Sequence, residues 1–117
     1  MDAFTQSYIE TALWSSTDNS NEQGGEPLDD NYGVDDISPE TMAQIQEDCE
    51  AFQREHGDDI GGKLERAGHD FWLTRNHHGA GFWDGDWGEA VGKRLTEASH
   101  VYGSVDLCVG DDGLIYS

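Results

Sequence analysis

Apolar residues recur at helical spacing along three stretches of this chain and alternate with polar ones along two others. Over residues 4–14, Phe4, Tyr8, Ile9, Ala12 and Leu13 share one helical face, the stripe of an amphipathic helix. A narrower seam of Met42, Ile45, Cys49 and Phe52 follows at steps of three, four and three. Ser38, Pro39 and Glu40 open that helix: serine caps, proline lacks an N–H that would have no partner there, and the acid meets the positive end of the dipole. The helix is expected to stop near His56 and Gly57, with a short turn or helix to Ala67 and Gly68 closing it. In the third stretch, Asp86 to Glu89 lead into Val91, Leu95, Ala98 and Tyr102, and Gly103 supplies the stop.

The alternating stretches predict strands. Residues 69–88, HDFWLTRNHHGAGFWDGDWG, hold three of the four tryptophans, two of the four phenylalanines and three of the five histidines. Aromatics bury the most area per residue, so the core is expected here. Phe71, Leu73 and Arg75 alternate with Asp70, Trp72 and Thr74, which reads as a strand entering a hairpin. Gly79 and Gly81 would form its turn, and residues 80–83 its return. A second hairpin is read from Val105, Leu107 and Val109, a turn at Asp111, Asp112 and Gly113, and a return through Leu114, Ile115 and Tyr116. The expected class is α+β: an antiparallel sheet of about four strands from two hairpins, with two to four helices on one face. Residues 1–37 are expected to form a helix plus a long acidic, partly extended linker pinned by Leu28, Tyr32 and Val34, and residues 38–117 the globular core.

Charge adds the main functional constraint. The 117 residues carry 25 acids and 6 bases, a formal charge of -19. Sixteen of the acids and a single base, Arg54, fall in residues 1–60. Phosphate contacts need Lys and Arg, so direct nucleic-acid binding through a basic surface is excluded. The fitting partner is cationic. No stretch approaches the roughly 20 apolar residues of a membrane span. With no basic, apolar leader at the N-terminus, a cytoplasmic monomer or homodimer is expected. Cys49 and Cys108 form no short pair and read as buried small hydrophobes of a reducing compartment.

The runs AGHDFWLTRNHHGAGFWD and YGSVDLCVGDDGLIY, together with the opening FTQSYIETALWSSTDNS and GGEPLDDNY, resemble a family of small uncharacterised proteins encoded by bacteriophages and prophages. The likeness spans most of the chain. In that family a glycine commonly stands where this chain has His77, so the turn there has no assumed type. The resemblance brings no activity and therefore no catalytic residue; it implies a phage product made inside a bacterium.

Candidate chemistry is thin. His77 and His78, with His69 nearby, lack the spacing of zinc ligands and read as turn and capping residues. Asp84, Gly85, Asp86 and Glu89 suggest calcium but fail the EF-hand pattern beyond the first pair, and read as the acidic start of a helix. There is no phosphate loop and no nucleophile elbow, so neither enzyme activity nor a cofactor is expected. Arg75, a base among aromatics and acids, is expected to stack on a tryptophan or pair with an acid.

The charge distribution is the strongest signal. Carboxylates along a helix and a linker can imitate duplex phosphates and occupy a basic groove. Phage DNA mimics block restriction enzymes, CRISPR effectors and host nucleic-acid-binding proteins in this way. The candidate contact residues are Asp29, Asp30, Asp35 and Asp36 in the linker and Glu47, Asp48, Glu50 and Glu55 on the helix. Trp83 and Trp87 form an alternative, aromatic contact surface without catalysis. A solvated acidic face or halophilic adaptation would give the same composition.

Overall fold

The first helix begins where Asp2 caps it, its carboxylate accepting from the Thr5 N–H at 2.7 Å. In this computed structural model residues 1–18, 26–78, 80–83 and 87–117 are described. They form four helices, α1 (Ala3–Ser15), α2 (Pro39–Ile60), α3 (Leu64–Arg75) and α4 (Glu89–Val101). Two small antiparallel pairs complete them: β1 (Thr17–Asp18) with β2 (Glu26–Pro27), and β3 (Cys108–Val109) with β4 (Ile115–Tyr116).

The chain is thus mainly helical, which corrects the expected α+β architecture. There is no four-stranded sheet. The C-terminal hairpin has two residues per strand, and the central hairpin is replaced by α3. The cause is burial. In α3, Ala67, Gly68 and every residue from Asp70 to Arg75 are buried, so the helix has almost no polar side to create a 3.6-residue period. Its alternation is incidental, and packing overrides the strand preference of Phe, Trp and Thr. Gly68 is not a closing residue but a contact point: a Cβ there would lie 2.0 Å from the Phe4 carbonyl oxygen. The backbones of α1 and α3 pack that closely because the side chain is absent.

The aromatic core forms around α3. Phe71 stacks on Phe52 with ring centroids 4.2 Å apart, and Phe4 and Phe82 stand 6.0 and 5.9 Å from Phe52. On α1, Phe4, Tyr8, Ile9, Ala12 and Leu13 are all buried. Leu28 is buried and Tyr32 and Val34 pack against the core, fastening the segment before α2.

Helix α2 starts at its Ser38 cap, whose Oγ accepts from the Thr41 N–H at 3.2 Å. It does not stop at His56. The backbone kinks there (φ −124°, ψ 17°) and one more turn runs to buried Ile60. The C-terminal hairpin supports the other end of α2: the Ser38 N–H donates to the Ile115 carbonyl at 2.9 Å.

Helix α3 closes in a Schellman motif, with the His78 N–H on the Leu73 carbonyl (3.0 Å) and the His77 N–H on that of Thr74 (3.1 Å). His77 occupies the left-handed position at φ 57°, where glycine is usual. The expected Gly79 turn residue lies outside the described residues, as do Gly24, Gly25 and residues 84–86.

Candidate functional site

Helical geometry sorts the acids of α2. At 100° per residue, Glu40, Glu47 and Glu50 point away from the Ile45, Cys49 and Phe52 seam; these three are exposed, as is Asp58 beyond the His56 kink. Glu55 is exposed as well, with one oxygen 3.8 Å from His56 Nε2. Upstream, Asp29 and Asp30 are exposed on the 3-10 turn Leu28–Asp30, and Asp35 on the turn Val34–Asp36. Asp36 is half-buried and accepts from the Gly33 N–H at 2.8 Å.

Asp48 does not belong to this outer set. It follows Ile45 by three residues and precedes Phe52 by four, which puts it beside the seam. There its Oδ2 receives Arg75 Nη1 at 3.0 Å. Arg75, only 2% exposed, extends from the end of α3 into the space between the helices. Its Nη1 also donates to Tyr8 Oη at 3.1 Å, its Nε to the Gly103 carbonyl at 2.8 Å and its Nη2 to the Tyr102 carbonyl at 2.9 Å. The two carbonyls end α4, where the helix dipole favours a cation. The guanidinium carbon stands 5.4 Å from the Phe71 ring and 5.7 Å from the Tyr102 ring. One cation thereby joins all four helices. Of the two expected roles, pairing with an acid is the one found, at Asp48, and the rings beside the guanidinium are Phe and Tyr rather than Trp. Burial pushes the Tyr8 phenol up against the pull of Arg75, and burial likewise pushes up the Cys49 thiol.

Five residues before Arg75, the same helix buries an anion. Asp70 is fully buried and accepts from Trp87 Nε1 at 2.7 Å and Arg66 Nε at 3.2 Å, with His69 Nδ1 at 2.9 Å. This removes Trp87 from the expected aromatic contact surface: its indole N–H is committed to the inside and the ring is buried. Arg66 and Asp70 stand at i,i+4, a spacing visible in the sequence; what the sequence lacked was the knowledge that residues 66–70 are helical.

Arg75 alone of the six bases is buried, and three of the five exposed ones lie beside partners. Arg75 is inside, Arg66 faces Asp70, Arg94 forms a two-pronged pair with Asp59 (3.0 and 2.7 Å), and Lys63 lies 5.2 Å from the Trp87 ring. The hydrogen bonds from Arg94 hold the Asp59 carboxyl below its usual range. Arg54 and Lys93, also exposed, stand outside these contacts.

Two tryptophans remain outward, Trp14 (48% exposed) and Trp83 (43%). Trp83 borders a cleft of about 610 Å³ along α4. A second, more polar cleft of about 560 Å³ runs between the end of α1 and residues 104–108. Cys108, expected to be buried, is exposed at its edge. Among the described residues no three His, Cys, Asp or Glu side chains converge as metal ligands, and no helix is long and apolar enough to cross a membrane. His77 stacks on His100 with centroids 4.4 Å apart. Asp84 and Asp86 lie outside the described residues. The arrangement is therefore a mainly helical scaffold whose α2 presents an outer row of carboxylates. No protein-family model matches the chain, nor does any curated protein or solved structure.

Proposed function

We propose that this chain is a binding protein without catalysis that docks its α2 carboxylates on a basic surface of a nucleic-acid-handling protein. The resemblance to phage proteins makes that partner a protein of the bacterial host, and the interaction inhibitory. The supporting observation is the exposure of Glu40, Glu47, Glu50, Glu55 and Asp58 along one helix with Arg54 as the only base of α2.

Magnitudes limit the mimicry. From residue 40 to residue 58 a helix spans about 27 Å, over which a duplex presents about 16 phosphates. Five carboxylates replace roughly a third of these, so α2 matches only part of a duplex-binding groove; Asp29, Asp30 and Asp35 are further exposed carboxylates upstream of it. Capture from bacterial lysate at low and high salt tests the reading. A nucleic-acid-binding protein that is released at high salt, and whose DNA or RNA binding falls when the chain is added, is the expected result. A partner held equally at both salts contradicts it, since a carboxylate interface weakens with ionic strength. Such a partner would favour the second reading, contact through exposed Trp83 and Trp14; Trp87 has no part in it.

A further inference from the structure

The cleft beside Trp83 has the build of a cation site. Gly92 and Thr96 lie one turn apart along its length. A Cβ at Gly92 would stand 2.6 Å from the Phe82 carbonyl oxygen, so the glycine lets the chain before Trp83 lie directly against α4. The Thr96 hydroxyl is committed to the Gly92 carbonyl at 2.7 Å, which removes a polar group from the cleft. Trp83 differs from the two buried tryptophans. The indole N–H groups of Trp72 and Trp87 donate to Ser15 and Asp70, whereas Trp83 has no hydrogen-bond partner among the described residues. Glu89, Lys93 and Glu97 also line the cleft at i, i+4 and i+8, leaving one net negative charge there.

The geometry points to an arginine side chain of the partner protein as the occupant of this cleft, its guanidinium stacked on Trp83 and its N–H edges directed to Glu89 and Glu97. The inference rests on the proposed basic partner and names a second point of contact with it. The protein already uses this chemistry inside, where Arg75 lies against Phe71 and Tyr102 with the Asp48 carboxylate at 3.0 Å. A planar guanidinium suits an indole face better than a compact, strongly hydrated ammonium. An anion is disfavoured by the chain's charge of -19. The cleft is larger than one guanidinium and falls in the 300–1,000 Å³ range of ligand pockets, leaving room for residues beside the arginine.

The test is NMR titration of the whole chain with a tetra-arginine and a tetra-lysine peptide, reading the Trp83 indole N–H resonance assigned through Trp83→Phe. The expected result is a saturable shift with tetra-arginine binding about threefold tighter than tetra-lysine. Glu89→Gln with Glu97→Gln should weaken it by about fivefold, and Lys93→Ala should tighten it by removing the competing ammonium. Neutralising α2 through Glu40→Gln, Glu47→Gln and Glu50→Gln should leave the Trp83 titration within about twofold. If resonances of α2 move while that of Trp83 stays still, the cleft assignment is overturned and the carboxylate surface stands. If neither moves, both are overturned. Equal affinity for the two peptides also overturns the choice of arginine.

Discussion

Helices α2 and α3 pack against one another and treat charge in opposite ways. The outer side of α2 leaves Glu40, Glu47 and Glu50 in water with no ion pair among the described residues, while α3 buries Asp70 and Arg75 with every polar atom satisfied. A buried charge is tolerated when its partners are complete. Arg75 receives one carboxylate, one phenol and two carbonyls; Asp70 receives three donors. The two burials take one charge of each sign off the surface, where the other five bases stay exposed, so the acidic exterior follows from the excess of acids in the chain.

The contrast is broken most severely at Arg75. Arg75→Met removes the donors of Asp48, Tyr8 and two helix-terminal carbonyls together, and should cost about 3–5 kcal/mol in urea denaturation, with Arg75→Lys giving little rescue. A loss below about 1 kcal/mol would show that the four helices do not depend on this cation. Asp70→Asn keeps an acceptor for Trp87 but removes the charge facing Arg66 and His69. Its expected cost is about 1.5–3 kcal/mol by the same measurement.

At the turn that ends the helix bearing Arg75, His77→Gly relieves the left-handed backbone. It should stabilise the protein by about 0.5–1 kcal/mol, after the greater chain entropy of glycine is subtracted. An unchanged or lower melting temperature would mean that the His100 stack outweighs the strain.

Asp2 gives the smallest effect and a pH signature. Partial burial raises its carboxyl pKa, but the hydrogen bonds from Thr5 and Gln53 lower it more, so the net value lies below 3.8. A depressed carboxylate adds stability above the unfolded value that is lost as pH falls through the folded one. The melting-temperature advantage over Asp2→Asn, which keeps a capping side chain, should therefore be constant near neutrality and close below about pH 4. A gap that persists at pH 2 would contradict this.

The same contrast explains what the sequence showed. A helix with one wet side announces itself, so the α1 stripe, the Ser38 cap and the Leu95 side of α4 were legible. A helix buried nearly all round does not, and α3 was read as a strand because Phe71, Trp72 and Thr74 suit strands locally. Asp48 and Trp87 were misplaced for a related reason. Their roles depend on Arg75 and Asp70, whose positions follow from α3. Glu47 and Glu50 needed only the period of α2. The spacing of Asp48 from Ile45 and Phe52 did mark it as a seam neighbour.

The central claim is that exposed α2 carboxylates make the contact. The most direct test is partner capture by Glu47→Lys with Glu50→Lys and Glu55→Lys, sparing Asp48 so that Arg75 keeps its counter-ion. The account predicts an unchanged circular dichroism spectrum and a loss of partner affinity of at least about tenfold. Unchanged affinity in a folded triple variant would contradict it.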